Sequence, residues 1–194
     1  MDTTMTLEQQ RAAFNSHRFL AMPLSGAICW GIVGLVSPFL NGFQASWLLF
    51  IAIGSIFYLA TFINKLTGES FFRPEKNTFD SLFFAGLIQA NLAWALAIPY
   101  FIEDHRSITL TVGILSGTMW MPFSWIIQHW IGYFHAIVRT VLIVAVWYLF
   151  PEHHFQAVPA VIVGLYVVTI AVLESRWRAQ TRRQDPSSTT ALRL

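Results

Sequence analysis

One arginine lies inside an apolar stretch of this chain, and its charge could do chemistry there. Arg139 falls about midway along the apolar run 131–150, and His135 stands four residues earlier. Four residues are close to one helical turn, so both side chains share a helix face. A charge at that depth in a bilayer costs roughly 2.5–3.5 kcal/mol, so it must be paired or hydrated. The pair indicates a polar site in which Arg139 binds an anionic group and its charge favours a neutral His135.

Two explanations of Arg139 fit the sequence. In the first, the guanidinium lines a polar cavity and binds a ligand. In the second, it is a structural charge that an asparagine or a carboxylate satisfies, or that extends to the membrane surface. Asn91 and Asp80 are the candidate partners, because a spacing of eleven residues places them on one face of a helix.

The residues predicted to bind a ligand come from three neighbouring apolar runs. Gln89 and Asn91 are amides in the third run, and Trp120 lies deep in the fourth, where it could line a cavity. With His135 and Arg139 of the fifth run, they make up the predicted site.

Residues for catalysis or metal binding are harder to find. His153 and His154 are adjacent, so within a helix they cannot easily share one metal ion, and Cys29 is the single cysteine. The sequence has no phosphate-binding loop, no HExxH pair and no Ser-His-Asp order. We therefore predict no catalytic residues, no metal and no cofactor, and an enzyme is the less favoured class. The tail arginines lack interleaved aromatic residues, which argues against nucleic-acid binding.

The fourth apolar run carries a structural motif of small residues, a proline and a tryptophan. Gly113 and Gly117 share a helix face, on which a neighbouring helix can approach closely. Pro122 removes the usual partner of the Thr118 carbonyl and predicts a kink. Trp125 closes the motif near the end of the run. The motif either lines a cavity or is simply a packing face close to a helix end.

These residues are carried by an unusually apolar chain of 194 residues, 55% hydrophobic and 11% charged, with a mean hydropathy of +0.54. Soluble domains carry about 25% charged residues. About 20 apolar residues are enough to span a bilayer. The runs show no strand-like alternation, so we predict an all-α bundle of six transmembrane helices. A polar lead-in (1–18) precedes it and a basic, disordered tail (174–194) follows it, and the spans are 19–40, 45–63, 82–102, 108–127, 131–150 and 155–173.

The distribution of positive charge predicts the orientation of this bundle. With six spans, Arg106 lies on one side and Arg139 lies within the membrane. Lysine and arginine concentrate on the cytoplasmic side of membrane proteins, so both termini are expected there. The other ten share that side: Arg11, Arg18, Lys65, Arg73, Lys76, Arg176, Arg178, Arg182, Arg183 and Arg193.

Several short motifs resemble those of one protein family. They are Ser116-Gly-Thr-Met-Trp-Met-Pro-Phe-Ser-Trp125 followed by Tyr133-Phe-His-Ala136, with further matches at Phe57-Tyr-Leu59 and Asn64-Lys-Leu66, and at Gln89, Trp94 and Pro99. The resemblance is to small bacterial membrane proteins classified as a domain of unknown function. It covers residues 15–173 and implies a multi-span helical fold in the bacterial cytoplasmic membrane, with no assigned activity. Met119 or Trp120 stands where the family often has histidine, and Phe123 replaces a tyrosine.

Together these features favour a membrane protein that binds or transports a small molecule at a polar site around Arg139. The alternative is a non-catalytic accessory protein that binds partner helices. The expected partners are the lipid bilayer, a small anionic ligand and a second copy of the chain, and nucleic acid is not among them.

Overall fold

The structure, a computed structural model, describes residues 5–67 and 77–184. All regular structure in these two ranges is helical. The α-helices are α1 (Leu7–Asn15), α2 (Ala21–Val36), α3 (Gly42–Gly54), α4 (Ile56–Thr67), α5 (Thr78–Leu92), α6 (Ala97–Glu103), α7 (Ser107–Leu115), α8 (Trp120–Ile127), α9 (Ile131–Leu149) and α10 (His154–Gln184). Two 3₁₀ segments, Ser37–Phe39 and Ala93–Leu96, extend α2 and join α5 to α6.

The helices combine into five or six segments that are long and apolar enough to cross a membrane. The continuous ones are Ala21–Phe39, Thr78–Glu103, Ser107–Ile127, Ile131–Leu149 and His154–Arg182. The sixth is the pair α3 and α4, which bends by 41°. The bend falls at Gly54 and Ser55, a Gly/Ser pair of the kind that commonly kinks helices. The prediction of an all-helical chain with apolar helices of spanning length is therefore confirmed.

The fourth span is broken between α7 and α8. At the break the backbone turns tighten to i→i+3 hydrogen bonds, such as Gly117 N to Ile114 O at 2.9 Å and Met121 N to Thr118 O at 3.1 Å. The prediction that the Thr118 carbonyl lacks a partner is wrong, because the Met121 amide donates to that carbonyl. Pro122 instead lies in the first turn of α8, where a missing N–H costs little.

Glycines set the closest helix contacts. A Cβ built on Gly26 of α2 would lie 2.5 Å from the ring tip of Tyr166 on α10. A Cβ on Gly117 would lie 2.9 Å from Arg139 Cδ on α9, and one on Gly113 would lie 3.1 Å from Ile143 Cδ1. The small-residue face predicted for the fourth span therefore packs against the fifth and sixth spans.

Helical structure extends into both terminal regions. Within the 1–18 lead-in, α1 begins with a capping box in which the Gln9 amide donates to Thr6 Oγ1 and the Thr6 amide donates to Gln9 Oε1. Within the 174–194 tail, α10 continues to Gln184, so the tail is helical up to that residue. The disorder predicted near residue 186 lies outside the described residues. Arg18 binds Glu174 at 2.8 Å and joins the two regions.

We expect Gly26→Ala to destabilise the protein by about 1–3 kcal/mol, because the Tyr166 ring that it would strike is buried and cannot withdraw. Gly31→Ala on the same helix is the matched control, since nothing lies within 4 Å of its added methyl group. Thermal unfolding of the purified variants in detergent measures both. Equal shifts in the two variants would contradict the close α2–α10 contact.

Candidate functional site

The guanidinium of Arg139 is fully buried and is held by three polar groups. Its Nε donates to the Gly113 carbonyl at 2.8 Å, and Nη2 donates to Ser116 Oγ at 2.7 Å. Nη1 lies 3.4 Å from Nε2 of His135. The Ser116 hydroxyl gives its own proton to the Val112 carbonyl at 2.7 Å, so its oxygen is free to accept from Arg139.

The break in the fourth span creates one of these acceptors. In an unbroken helix, the Gly117 amide would bind the Gly113 carbonyl. Here the Gly117 amide donates to the Ile114 carbonyl instead. The Gly113 carbonyl is left free, and Arg139 Nε donates to it. The irregular backbone is thus satisfied by protein, as it must be at membrane depth.

A chain of hydrogen bonds fixes the tautomer of His135. Thr169 Oγ1 donates to the Leu165 carbonyl at 2.8 Å, and the same oxygen lies 2.8 Å from His135 Nδ1. Because the hydroxyl has one proton, Nδ1 must be the donor in the second bond. Nε2 then carries the lone pair that faces Arg139. A neutral imidazole is the form that fits between a hydroxyl acceptor and a guanidinium.

Aromatic rings complete the surroundings of these two residues. Trp120 stacks on His135 with centroids 4.4 Å apart, and Tyr166 lies 4.9 Å from the same imidazole. The guanidinium carbon of Arg139 lies 5.6 Å from the Trp30 ring and 5.8 Å from the Tyr166 ring. Ring faces attract a cation, most strongly where water is excluded.

No carboxylate neutralises Arg139 within the described ranges. The ion pairs found there join Arg18 and Arg178 to Glu174, and Arg106 to Glu152. A guanidinium has five N–H donors, and the bonds described above use three of them. The positive charge is therefore held by dipoles and ring faces alone, and it would favour a nearby anion.

A cavity of about 560 Å³ lies beside this cluster. Ser116, Trp120 and Tyr166 belong to its lining, whereas Arg139 and His135 lie behind those three side chains. Most of the remaining wall is apolar and includes Phe14, Phe19, Phe57, Phe83, Phe84 and Phe123. The cavity thus has an apolar body, and the side nearest Arg139 carries a serine hydroxyl, a tyrosine and an indole.

Further polar residues of the cavity lining lie near the ends of several helices. Arg18 and His17 contribute from the segment after α1, Asn64 from α4, and Asp80 and Asn91 from α5. The third span, which supplies much of the wall, has the smallest buried share of the continuous spans, 17% against 33–44% in the others.

The structure brings three of the five predicted ligand-binding residues together. Trp120, His135 and Arg139 are in contact, and Asn91 lines the same cavity as Trp120. Gln89 is exposed and lies outside the cavity lining. The predicted pairing of Arg139 with Asn91 or Asp80 is wrong, because Asn91 Nδ2 donates to the Leu87 carbonyl at 2.8 Å and the partners of Arg139 come from the fourth and fifth spans.

The predicted structural motif serves different purposes along its length. Gly113 offers its carbonyl to Arg139, and Gly117 makes room for the Arg139 side chain. Pro122 packs against α5, where its Cγ lies 3.3 Å from a Cβ built on Gly86. Trp125 is half exposed, and Arg11 lies over its ring at 5.0 Å.

Sequence reasoning missed the contributions of the first and sixth spans. Trp30, Tyr166 and Thr169 all contact the Arg139 cluster or the histidine beside it. Tyr166 and Thr169 are three residues apart in an otherwise apolar run, and this polar pair at helical spacing was the available signal. In the described parts of the chain, no group of three or more His, Cys, Asp or Glu residues could hold a metal ion.

The sequence pattern of a family described as a family of unknown function (DUF7010) matches residues 5–176. Neither a curated protein nor a solved structure matches the chain significantly.

We expect Thr169→Val to lower stability by about 1–3 kcal/mol, because it leaves the buried N–H of His135 without an acceptor. Thr140→Val is the matched control, since its hydroxyl bonds only to the Ala136 carbonyl of its own helix. The thermal unfolding midpoint in detergent distinguishes the two. A Thr140→Val variant as unstable as Thr169→Val would contradict the hydrogen-bond chain.

Proposed function

Since the chain belongs to DUF7010, a family of unknown function, we propose a function from its own site: it binds a small amphiphilic molecule with an acidic head group inside the membrane. The observation that carries this proposal is the position of the cavity, whose lining shares Ser116, Trp120 and Tyr166 with the surroundings of Arg139.

The size and lining of the cavity support a ligand that is mostly apolar. Small-molecule sites occupy about 300–1,000 Å³ and combine apolar walls with a few placed polar groups. The volume of about 560 Å³ falls within that range. The phenylalanine side chains of the wall would pack around a hydrocarbon body, and the Tyr166 side chain offers a polar contact at one side.

The charge of Arg139 supports an acidic head group. Two charges interact in inverse proportion to the dielectric constant, so an uncompensated cation acts strongly across a dry wall one side chain thick. A carboxylate or phosphate beside Tyr166 would lie close to the guanidinium without displacing its partners. An ammonium group at the same place would be repelled.

The position of the third span supports the proposal that the ligand enters from the lipid. Its helix α5 forms one wall of the cavity, and its residues Ile88 and Leu92 are exposed and belong to the lining. A molecule dissolved in the bilayer could therefore reach the cavity past α5. The distribution of lysine and arginine supports a cytoplasmic position for both termini, and the bacterial cytoplasmic membrane is the proposed location.

A second candidate function is that of an accessory protein that binds partner helices. The low buried share of the third span favours it, because its exposed apolar side chains could pack against another helix as well as against lipid. In that case the cavity would be a gap closed by the partner.

We expect Ala90→Phe to weaken ligand binding strongly, because Ala90 is buried in the cavity wall and a phenyl group there would occupy space that the ligand needs. The probe is radiolabelled palmitate, measured with the full chain in phosphatidylcholine nanodiscs. Val141→Phe is the matched control, since Val141 is 61% exposed and lies outside the lining. Palmitate binding that is unchanged by Ala90→Phe, or absent from the wild type, would contradict the proposal and favour the accessory function.

We also expect Arg139→Gln to reduce palmitate binding about tenfold, the equivalent of about 1.4 kcal/mol of lost attraction to the carboxylate. Hexadecanol has the same chain without the charge, so its binding should change little. Comparison of the two probes separates lost attraction from lost folding, because a misfolded variant would lose both. Equal losses would therefore contradict a head-group role for Arg139.

A further inference from the structure

A second cleft, separate from the cavity described above, lies where the turn between α8 and α9 meets α10. It has a volume of about 400 Å³ and is lined by His129, Val172, Ser175, Arg176, Ala179 and Gln180. Within the described residues no carboxylate belongs to this lining. Glu174 is close in sequence, but its oxygens bind Arg18 and Arg178.

The chemistry of the cleft is that of an anion site. The Arg176 side chain makes no ion pair with any residue that the structure describes. Burial and, after it, the charge of Arg176 hold the pKa of His129 below its usual value. Two basic groups that oppose each other's charge would both be stabilised by an anion between them.

Ser175 and Gln180 complete the polar part of the lining. The Ser175 hydroxyl donates its proton to the Val172 carbonyl at 2.8 Å. Its oxygen can therefore accept a hydrogen bond from a ligand that carries a hydroxyl group next to its anion.

The position of the cleft fits a lipid head group. His129 follows directly on the fourth span, and the neighbouring Trp130, stacked on it at 5.6 Å, is 55% exposed. Exposed tryptophans at span ends mark the level of lipid head groups. Val172 and Ala179 provide an apolar strip along which an acyl chain or a glycerol backbone could lie.

We propose that this cleft binds the phosphodiester head group of an anionic phospholipid, with Arg176 and His129 at the phosphate and Ser175 accepting from a head-group hydroxyl. Phosphatidylglycerol carries both groups. The cleft is independent of the palmitate site, so either can fail without the other.

The test is native mass spectrometry of the full chain with phosphatidylglycerol and with phosphatidylcholine of identical acyl chains. Removing one arginine near a lipid surface costs about 1 kcal/mol, so Arg176→Gln should weaken phosphatidylglycerol binding about fivefold. Arg176→Lys keeps the charge and should retain most of the binding. Arg182→Gln removes the same charge from an exposed position of the same helix outside the cleft and should change little.

A second measurement identifies the source of the phosphate. The pKa of His129 is followed by nuclear magnetic resonance in phosphatidylcholine nanodiscs, and adding phosphatidylglycerol should raise it. Inorganic phosphate that raises it equally would overturn the assignment to a lipid. Equal losses for Arg176→Gln and Arg182→Gln, or no preference for phosphatidylglycerol in the wild type, would overturn the site itself.

Discussion

The centre of this protein is built around one buried positive charge, the guanidinium of Arg139. Arg139 is enclosed among apolar helices with no carboxylate beside it in the described residues, so each of its contacts must come from a dipole or a ring face. The Gly113 carbonyl, the Ser116 hydroxyl and the lone pair of His135 supply the dipoles. These groups belong to two spans, and the aromatic faces come from two others. Four spans therefore contribute contacts to this charge.

The broken fourth span is best understood as part of this arrangement. A regular helix would keep the Gly113 carbonyl for its own backbone, and a side chain at position 117 would occupy the space that Arg139 needs. Opening the helix between α7 and α8 provides an acceptor and room at the same place. A helix break at membrane depth is tolerated because another helix satisfies it.

The site and the cavity share residues but differ in exposure. The cluster around Arg139 is closed, whereas the adjoining cavity is bounded by a span that buries little of its surface. A tightly packed half and a loosely packed half thus meet at Ser116, Trp120 and Tyr166. This division supports the proposed binding function, because it combines a fixed charged group with a wall that few other side chains cover.

Composition and spacing alone determined the helical class and the presence of several long apolar segments, because a membrane-spanning helix needs a long apolar run. They also singled out Arg139 and His135, because a charge within such a run is exceptional. Two segments have similar sequences, Ser25-Gly26 before Trp30 and Ser116-Gly117 before Trp120. Both tryptophans lie in the cluster around Arg139 and His135, which the sequence spacing did not predict. Only the tertiary structure decided which groups surround Arg139. Its partners lie 23 and 26 residues away for Ser116 and Gly113, and the Tyr166 and Thr169 contacts depend on how α10 rotates against α2 and α9. Helical periodicity fixes a face within one helix, whereas the choice of which faces meet depends on the packing of side chains between helices.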